Sequence, residues 1–238
     1  MKLEKIVTWL DKTLNVAAFD DVSNNGLQVE RDQGSGIGDQ VKAVAFAVDA
    51  SVKSVRQAAQ AGAQLLVVHH GISWGGGIRR ISGGVYTVVK AAMDANLALY
   101  ACHLPLDAHP VLGNNAQLAK LLGLGKVKPA FSYHGNVIGL VGELSRLQSI
   151  AIGSRRHEFR PGRIGLCSGG AGEFAEEAKR LGCDLYLTGE ASWGDVIAAE
   201  NVGMKMICAG HYETEVFGIR AVAKAMAKAL KVKTVDLS

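Results

Sequence analysis

Several features that mark specialised classes of protein are missing from this chain. No run of five or more like charges occurs among its 26 Lys+Arg and 22 Asp+Glu residues, and its basic residues are not interleaved with aromatics. Nucleic-acid binding therefore has little support from the sequence. The 4 cysteines have no CxxC spacing and lie in apolar or small-residue surroundings, which is typical of reduced thiols in a cytoplasmic protein.

Long apolar runs and common catalytic motifs are also absent. No run approaches the ~18 residues of a membrane span, and the first fifteen residues, MKLEKIVTWLDKTLN, have the apolar spacing and mixed charge of an amphipathic helix and not of a signal peptide. The chain has no Walker lysine motif and no GxSxG elbow. The CSGGAG stretch at 167–172 lacks the full GxGxxG spacing, so a tight strand-to-helix turn is favoured there. We expect a soluble protein.

The 238 residues are 48% hydrophobic, enough for a substantial core. Short apolar runs alternate with stretches of helical periodicity, and this alternation predicts an α/β fold with mainly parallel sheets covered by helices. The turn-rich stretch 125–136 indicates a passage between two lobes, 1–124 and 125–238, with the C-terminal helix allowed to pack back on the first lobe. The predicted strands are 42–48, 65–70, 97–103, 137–144, 164–172, 184–190, 204–210 and 232–237.

Histidines and carboxylates cluster where predicted strands end. His69 and His70 follow one strand, the HxxxD of ACHLPLDAHP follows a second, and the HxxxE of CAGHYETE follows a third. Imidazole and carboxylate are the usual N/O ligands of divalent metals, and an i, i+4 pair on a first helical turn lies on one face. Because ligands bind beyond the carboxyl ends of strands in open α/β sheets, these clusters predict a two-metal site.

Each cluster also has an ordinary interpretation. A lone histidine more often packs or donates a hydrogen bond than binds metal, and His211 with Glu215 could be a surface pair at a helix start. The coincidence of three clusters at strand ends favours metal. Arg79 and Arg80, in the glycine-rich loop after the HH pair, could bind phosphate through their guanidinium groups or could simply be solvated.

The motifs VVHHG, HLPLDAHP, LGNNAQLAKLLG and AGHYETE, together with NNGLQVE at 24–30 and LTGE at 187–190, resemble those of the GTP cyclohydrolase 1 type 2 homologue family, the Nif-three-like proteins. The resemblance covers the whole chain. It implies two related α/β lobes with a dinuclear metal centre in the cleft between them, a toroidal homohexamer, and a short form without the domain that some members insert.

Matched residue by residue, the resemblance implies a specific set of site residues. Glu215 falls on the carboxylate that bridges both ions, His103 on a neighbouring or substrate-facing group, and Glu190 on a base or water-orienting residue. The histidine that many members have shortly after this glutamate is missing here, where Ala191 to Gly194 follow. The implied metal ligands are His69, His70, Asp107, His211 and Glu215.

A pair of divalent ions on N/O ligands is suited to hydrolysis, and Zn, Fe, Mn, Co and Ni all fit such donors. The sequence therefore predicts a metal-dependent hydrolase of a small phosphorylated or nucleotide-like substrate. The alternative is a regulatory or interaction protein whose metals are structural. Five side chains for two ions leave coordination positions open, which favours the enzyme.

Overall fold

A computed structural model describes residues 1–32 and 40–238. These residues form two compact units, Met1–Leu106 with Ile219–Ser238, and Asp107–Gly218. The helices are α1 Leu3–Leu14, α2 Val52–Gln60, α3 Gly83–Asp94, α4 Leu104–Ala108, α5 Asn114–Leu122, α6 Ala175–Arg180, α7 Trp193–Asn201 and α8 His211–Leu230, with short 3-10 turns at Val16–Ala18 and Gly172–Phe174. Within the described residues, no helix has both the length and the apolar character needed to cross a membrane.

The strands also follow the alternation of the sequence. They are β1 Gly26–Val29, β2 Ala43–Asp49, β3 Leu65–His70, β4 Ala98–Ala101, β5 Gly125–Tyr133, β6 Asn136–Leu144, β7 Gln148–Ile152, β8 Arg155–Phe159, β9 Gly162–Gly170, β10 Leu185–Glu190, β11 Met206–Cys208 and β12 Lys233–Asp236. The two units each contain one five-stranded sheet, so the fold is mixed α/β.

The sheet of the first unit is mainly parallel, as predicted. Its order is β1-β4-β3-β2-β12, and only the β1–β4 pairing is antiparallel. The strands β2 and β3 are almost continuously apolar because both faces of the sheet are covered, and α2 and α3 contribute Val55 and Ala92 to the same core. The register pairs Asp49 with His70 and Val68 with Ala101. The carboxyl ends of β2, β3 and β4 therefore meet at one edge.

The sheet of the second unit is mixed, and here the prediction of a mainly parallel sheet is wrong. In the order β11-β10-β9-β6-β5, the first two pairings are parallel and the last two antiparallel. The stretch 125–136, expected to be turn-rich, forms the edge strand β5, whose residues are mostly exposed. An edge strand buries little, so its sequence shows little apolar periodicity. The stretch 153–163, which contains none of the predicted strands, supplies β8 of the β7–β8 hairpin.

The border between the units lies at Leu106 and Asp107, whereas the sequence placed it at 124/125. The helix α5 accounts for the difference, because its Leu118 and Leu122 share a core with Leu166 and Leu187 of β9 and β10. The helix α8 begins in the second unit and continues into the first from Ile219 onward.

Candidate metal centre

Three histidines lie together at the carboxyl edge of the first sheet. The ring centroids of His69 and His70 are 4.7 Å apart, and that of His103 lies 5.1 Å and 5.7 Å from them. The two neighbours His69 and His70 would point to opposite faces within a regular strand, but β3 ends at His70 and their rings converge. One ring nitrogen from each histidine lies within 4.8 Å of the others, an arrangement that could hold a metal ion.

The orientation of these imidazoles is set by hydrogen bonds at Nδ1. A carbonyl or an ionised carboxylate can only accept, so each of these bonds needs a proton on Nδ1 and leaves the lone pair of the neutral ring on Nε2. This arrangement is typical of metal-binding histidines. The bonds run from His69 to the carbonyl oxygen of Cys102 (2.9 Å), from His70 to Oδ1 of Asp49 (2.8 Å) and from His103 to Oδ1 of Asp21 (2.9 Å).

Asp21 is the best supported of these acceptors. Its two carboxylate oxygens accept bonds from the His103 ring, from the backbone N–H groups of Ser23 and Leu104, and from the amide of Asn25. Burial alone would raise the pKa of Asp21, but the hydrogen bond and charge of His103 outweigh it and the pKa falls to about 2. Asn25 in turn accepts from the backbone N–H of His103 at 2.7 Å. Asp21 is therefore an anion in the folded protein at neutral pH.

The second unit contributes candidate ligands on α8 and β10. Nε2 of His211 lies 3.1 Å from Oε1 of Glu215, and Nδ1 lies 3.0 Å from Oε1 of Glu190. The i, i+4 spacing at the start of α8 brings the first pair to one face, as the sequence predicts. The hydrogen bond to Glu215, opposed by burial and reinforced by both negative charges, raises the pKa of His211 to about 9. Metal-free His211 is therefore an imidazolium at neutral pH.

Asp107 lies buried in the second unit, with its orientation fixed by neighbouring polar groups. Its Oδ1 accepts from Nδ2 of Asn114 at 2.8 Å and from Oγ of Ser168 at 3.0 Å. The Asn114 oxygen is occupied too, since it accepts from the backbone N–H of Gly218 at 2.7 Å. Burial, followed by the charges of Asp107 and Glu215, raises the pKa of Cys167 well above its usual value. Two buried carboxylates, Asp107 and Glu215, therefore lie near Cys167 in this unit.

The strand β9 ends in two glycines, Gly169 and Gly170, next to the candidate ligands of the second unit. A Cβ atom at Gly169 would collide with Oε1 of Glu215 and lie 3.3 Å from Nε2 of His211, and one at Gly170 would lie 3.4 Å from Oε1 of Glu190. Gly169 also has a φ of +69°, which favours glycine. Because glycine has no Cβ atom, the two residues leave room for a metal ion bound by these side chains. Both sets, with imidazole and carboxylate donors oriented by fixed partners, fit a divalent metal.

The remaining predicted site residues lie as follows. Arg79 and Arg80 are exposed in the loop between β3 and α3, and Glu190 is an exposed residue at the end of β10. Asp21 and Asp49, which orient His103 and His70, are not among the residues that the sequence predicts for the site. The sequence spacing of Asp21 and Asp49 gives no sign of this role. The only signal nearby is Asn25, a hydrogen-bond partner of Asp21 that lies in the NNGLQVE motif. The LGNNAQ motif contains a third orienting residue, Asn114.

Comparisons with known proteins agree with the motifs. The profile of Duf34/NIF3 (NGG1p interacting factor 3) matches residues 1–238. A protein of Pyrococcus horikoshii named GTP cyclohydrolase 1 type 2 homolog is 40% identical over 250 residues, which span 99% of this chain and 97% of the relative. A relative of the same name from Deinococcus radiodurans is 40% identical, over 92% of this chain and 86% of its own. The solved structure of protein ybgI, described as of unknown function, matches with a TM-score of 0.84 at 31% identity and covers 100% of this chain and 98% of that one.

Proposed function

The chain belongs to the Duf34/NIF3 family, and on that basis we propose that it is a dinuclear metal-dependent hydrolase of a small phosphorylated or nucleotide-like substrate. The observation that carries the proposal is the shared anchoring of four imidazoles. His69, His70, His103 and His211 each have Nδ1 within 3.0 Å of an oxygen acceptor. Such anchoring fixes ring orientation and increases the basicity of Nε2, which is what metal ligation needs.

The proposal joins the two ligand sets into one centre. His103 ends the first set, and Asp107 lies four positions later on the same short segment that contains α4. This proximity along the chain, together with the family resemblance, supports one common centre. By the family resemblance, His69, His70, Asp107, His211 and Glu215 would hold the two ions. The ions would be Zn, Fe, Mn, Co or Ni.

A pair of bound divalent cations supplies an acidified water and stabilises negative charge on the attacking and leaving oxygens. The chain's own residues would do the rest. Glu190, whose side chain is 64% exposed and lies 3.0 Å from Nδ1 of His211, would accept a proton or orient water. His103, held by Asp21, would face the substrate, and the guanidinium groups of Arg79 and Arg80 would bind its phosphate. The name of the relatives suggests GTP as the first compound to test.

A second function uses the same ligands without turnover. If the ions were structural, the protein would be a regulatory or interaction protein stabilised by metal. The exposure of the His211 side chain, 36%, favours the enzyme, because a catalytic site keeps solvent-accessible positions whereas a structural site is closed by protein ligands.

Elemental analysis of the purified protein, followed by a turnover screen, tests the proposal. GTP, cyclic nucleotides and phosphoesters would be offered to the wild type, to Glu215→Gln and to the control Glu213→Gln, which changes a neighbouring carboxylate on the same helix. We expect two metals per chain and metal-dependent turnover that is lost only in Glu215→Gln. Two bound metals with no turnover across the screen would favour the regulatory protein, and metal content unchanged in His69→Ala and His211→Ala would contradict the ligand assignment.

The assembly and location of the protein are part of the same proposal. The family resemblance supports a ring-shaped homohexamer, which light scattering coupled to size-exclusion chromatography would test. The four cysteines form no disulfide among the described residues, and this supports a reducing, cytoplasmic location.

A further inference from the structure

We propose that Trp74 is a stacking platform for a flat aromatic heterocycle of the substrate, beside the histidine set of the first unit. This inference rests on the proposed function and narrows its substrate class from phosphorylated compounds in general to those with a planar ring, such as a nucleobase. Trp74 lies in the loop between β3 and α3, four residues after His70, and is not one of the candidate metal ligands.

The indole borders the candidate ligands directly. Its ring centroid is 5.2 Å from that of His103, with the planes at 75°, and 6.1 Å from that of His70. Trp74 nevertheless remains 39% exposed. An indole that packed only as part of the core would be covered, whereas this one has surface available beside the imidazoles.

The loop holds the indole in a fixed position. The indole Nε1–H donates to the carbonyl oxygen of Gly71 at 3.0 Å, and the residue forms an antiparallel bridge with Ser23. The neighbouring backbone is tied to the same segment, because Gly75 N–H donates to the Val22 carbonyl at 2.6 Å and Asn24 N–H donates to the Ser73 carbonyl at 3.0 Å. A ring fixed before binding loses little conformational entropy when a ligand stacks on it, so its exposure fits a binding role.

The geometry also selects the ligand class. Stacked aromatic rings have centroids about 4.5–7 Å apart, so a heterocycle on Trp74 would lie next to the imidazoles of His70 and His103. The exposed side chains of Arg79 and Arg80 follow on the same loop, and guanidinium groups suit phosphate. A planar base on the tryptophan with a phosphorylated tail toward the arginines uses both features of this loop.

Binding measurements with three probes test the platform without relying on turnover. GTP has a base and phosphates, guanosine has the base alone, and inorganic tripolyphosphate has phosphates alone. Isothermal titration calorimetry on the metal-loaded protein would compare wild type, Trp74→Ala, Trp74→Phe and the control Tyr86→Ala, which removes another exposed aromatic of the same unit. We expect Trp74→Ala to weaken GTP and guanosine by about 5- to 150-fold, the range for loss of one base-on-aromatic stack. Tripolyphosphate should be unaffected, and Trp74→Phe should retain most of the binding.

The platform would be contradicted if the wild type bound neither GTP nor guanosine. It would also be contradicted if Trp74→Ala bound both compounds as tightly as the wild type does, or if this variant lost affinity for tripolyphosphate as much as for GTP. Metal content and melting temperature of each variant show whether the site itself survives. Base-dependent binding that needs Trp74, in a protein that turns over nothing, would leave the platform standing and remove only the hydrolase proposal. The two ideas therefore fail in different measurements.

Discussion

Nδ1 of His103 lies 2.9 Å from Oδ1 of Asp21, whose side chain is 1% exposed. A carboxylate this well buried is stabilised only by its bonds, and Asp21 has four donors around it. The relationship fixes both the tautomer and the direction of the His103 ring. Asp21 is therefore a positioning residue that acts through His103.

Replacing Asp21 with Asn should reduce activity through His103. The amide keeps an acceptor but loses the charge that holds the Nδ1 proton, and loss of such a partner typically lowers metal affinity or activity by about 10- to 100-fold. Turnover and metal content would be measured alongside the control Asp94→Asn, an exposed carboxylate on α3. In a double-mutant cycle, Asp21→Asn should add little to His103→Ala. Additive effects would show that Asp21 acts independently of the histidine.

Asn114 should be needed for both stability and metal affinity. Truncation to Ala leaves Asp107 without an amide donor and the buried N–H of Gly218 without its acceptor, a loss of about 1–3 kcal/mol for unmet buried groups. Urea unfolding in the presence of chelator measures stability, and competition with a chromophoric chelator measures metal affinity. The control Ser168→Ala removes one bond to Asp107 and should have the smaller effect on unfolding. Equal effects of the two substitutions would contradict this role of Asn114.

Alanine substitutions at two glycines test whether the space beside Glu215 is needed for metal binding. Gly169 and Gly182 have similar φ values of +69° and +74°, yet a Cβ meets Glu215 at the first and nothing within 4 Å at the second. Alanine at either position should therefore carry the same backbone strain, of about 1–2 kcal/mol. Only Gly169→Ala should also lose metal, by elemental analysis after gel filtration. Retention of full metal content in Gly169→Ala would contradict the view that Gly169 keeps open the space for the metal.

The ligand candidates could be predicted from the sequence because their chemistry is local. The HxxxE pair places His211 and Glu215 on one helical face, and the structure has them 3.1 Å apart. Their supporting residues could not be found in this way. Asp21 reaches His103 from 82 positions earlier and Asp49 reaches His70 from 21 positions earlier, and a single aspartate in a loop or strand end has no pattern that distinguishes it from a solvated one.

Some strands could likewise be predicted from the sequence and others could not. The buried strands β2 and β3 can be recognised in the sequence as apolar runs, because both of their faces are buried. The edge strand β5 contains Lys126, Lys128 and Pro129, and proline and lysine are what an unpaired edge tolerates. Since such a strand is specified mainly by its neighbour β6, its own sequence resembles a loop.

His211 should make metal binding depend on pH. In the metal-free protein its pKa is about 9 against the usual 6.5, with the hydrogen bond to Glu215 as the main cause. A raised pKa means that the charged ring stabilises the folded state fully below pH 6.5 and that this contribution disappears as the pH rises through about 9. A metal ligates only the neutral ring, so binding near neutral pH must release this proton.

Apparent metal affinity should therefore increase by about tenfold per pH unit from this residue alone and level off at about pH 9. Calorimetry in two buffers with different ionisation enthalpies would count the released protons. Glu190→Gln removes one of the two carboxylates that hold the imidazolium, so its plateau should begin at a lower pH. Affinity that stays constant between pH 6.5 and 9, with no buffer-dependent heat, would mean that His211 is not displaced from its carboxylates and is not a ligand.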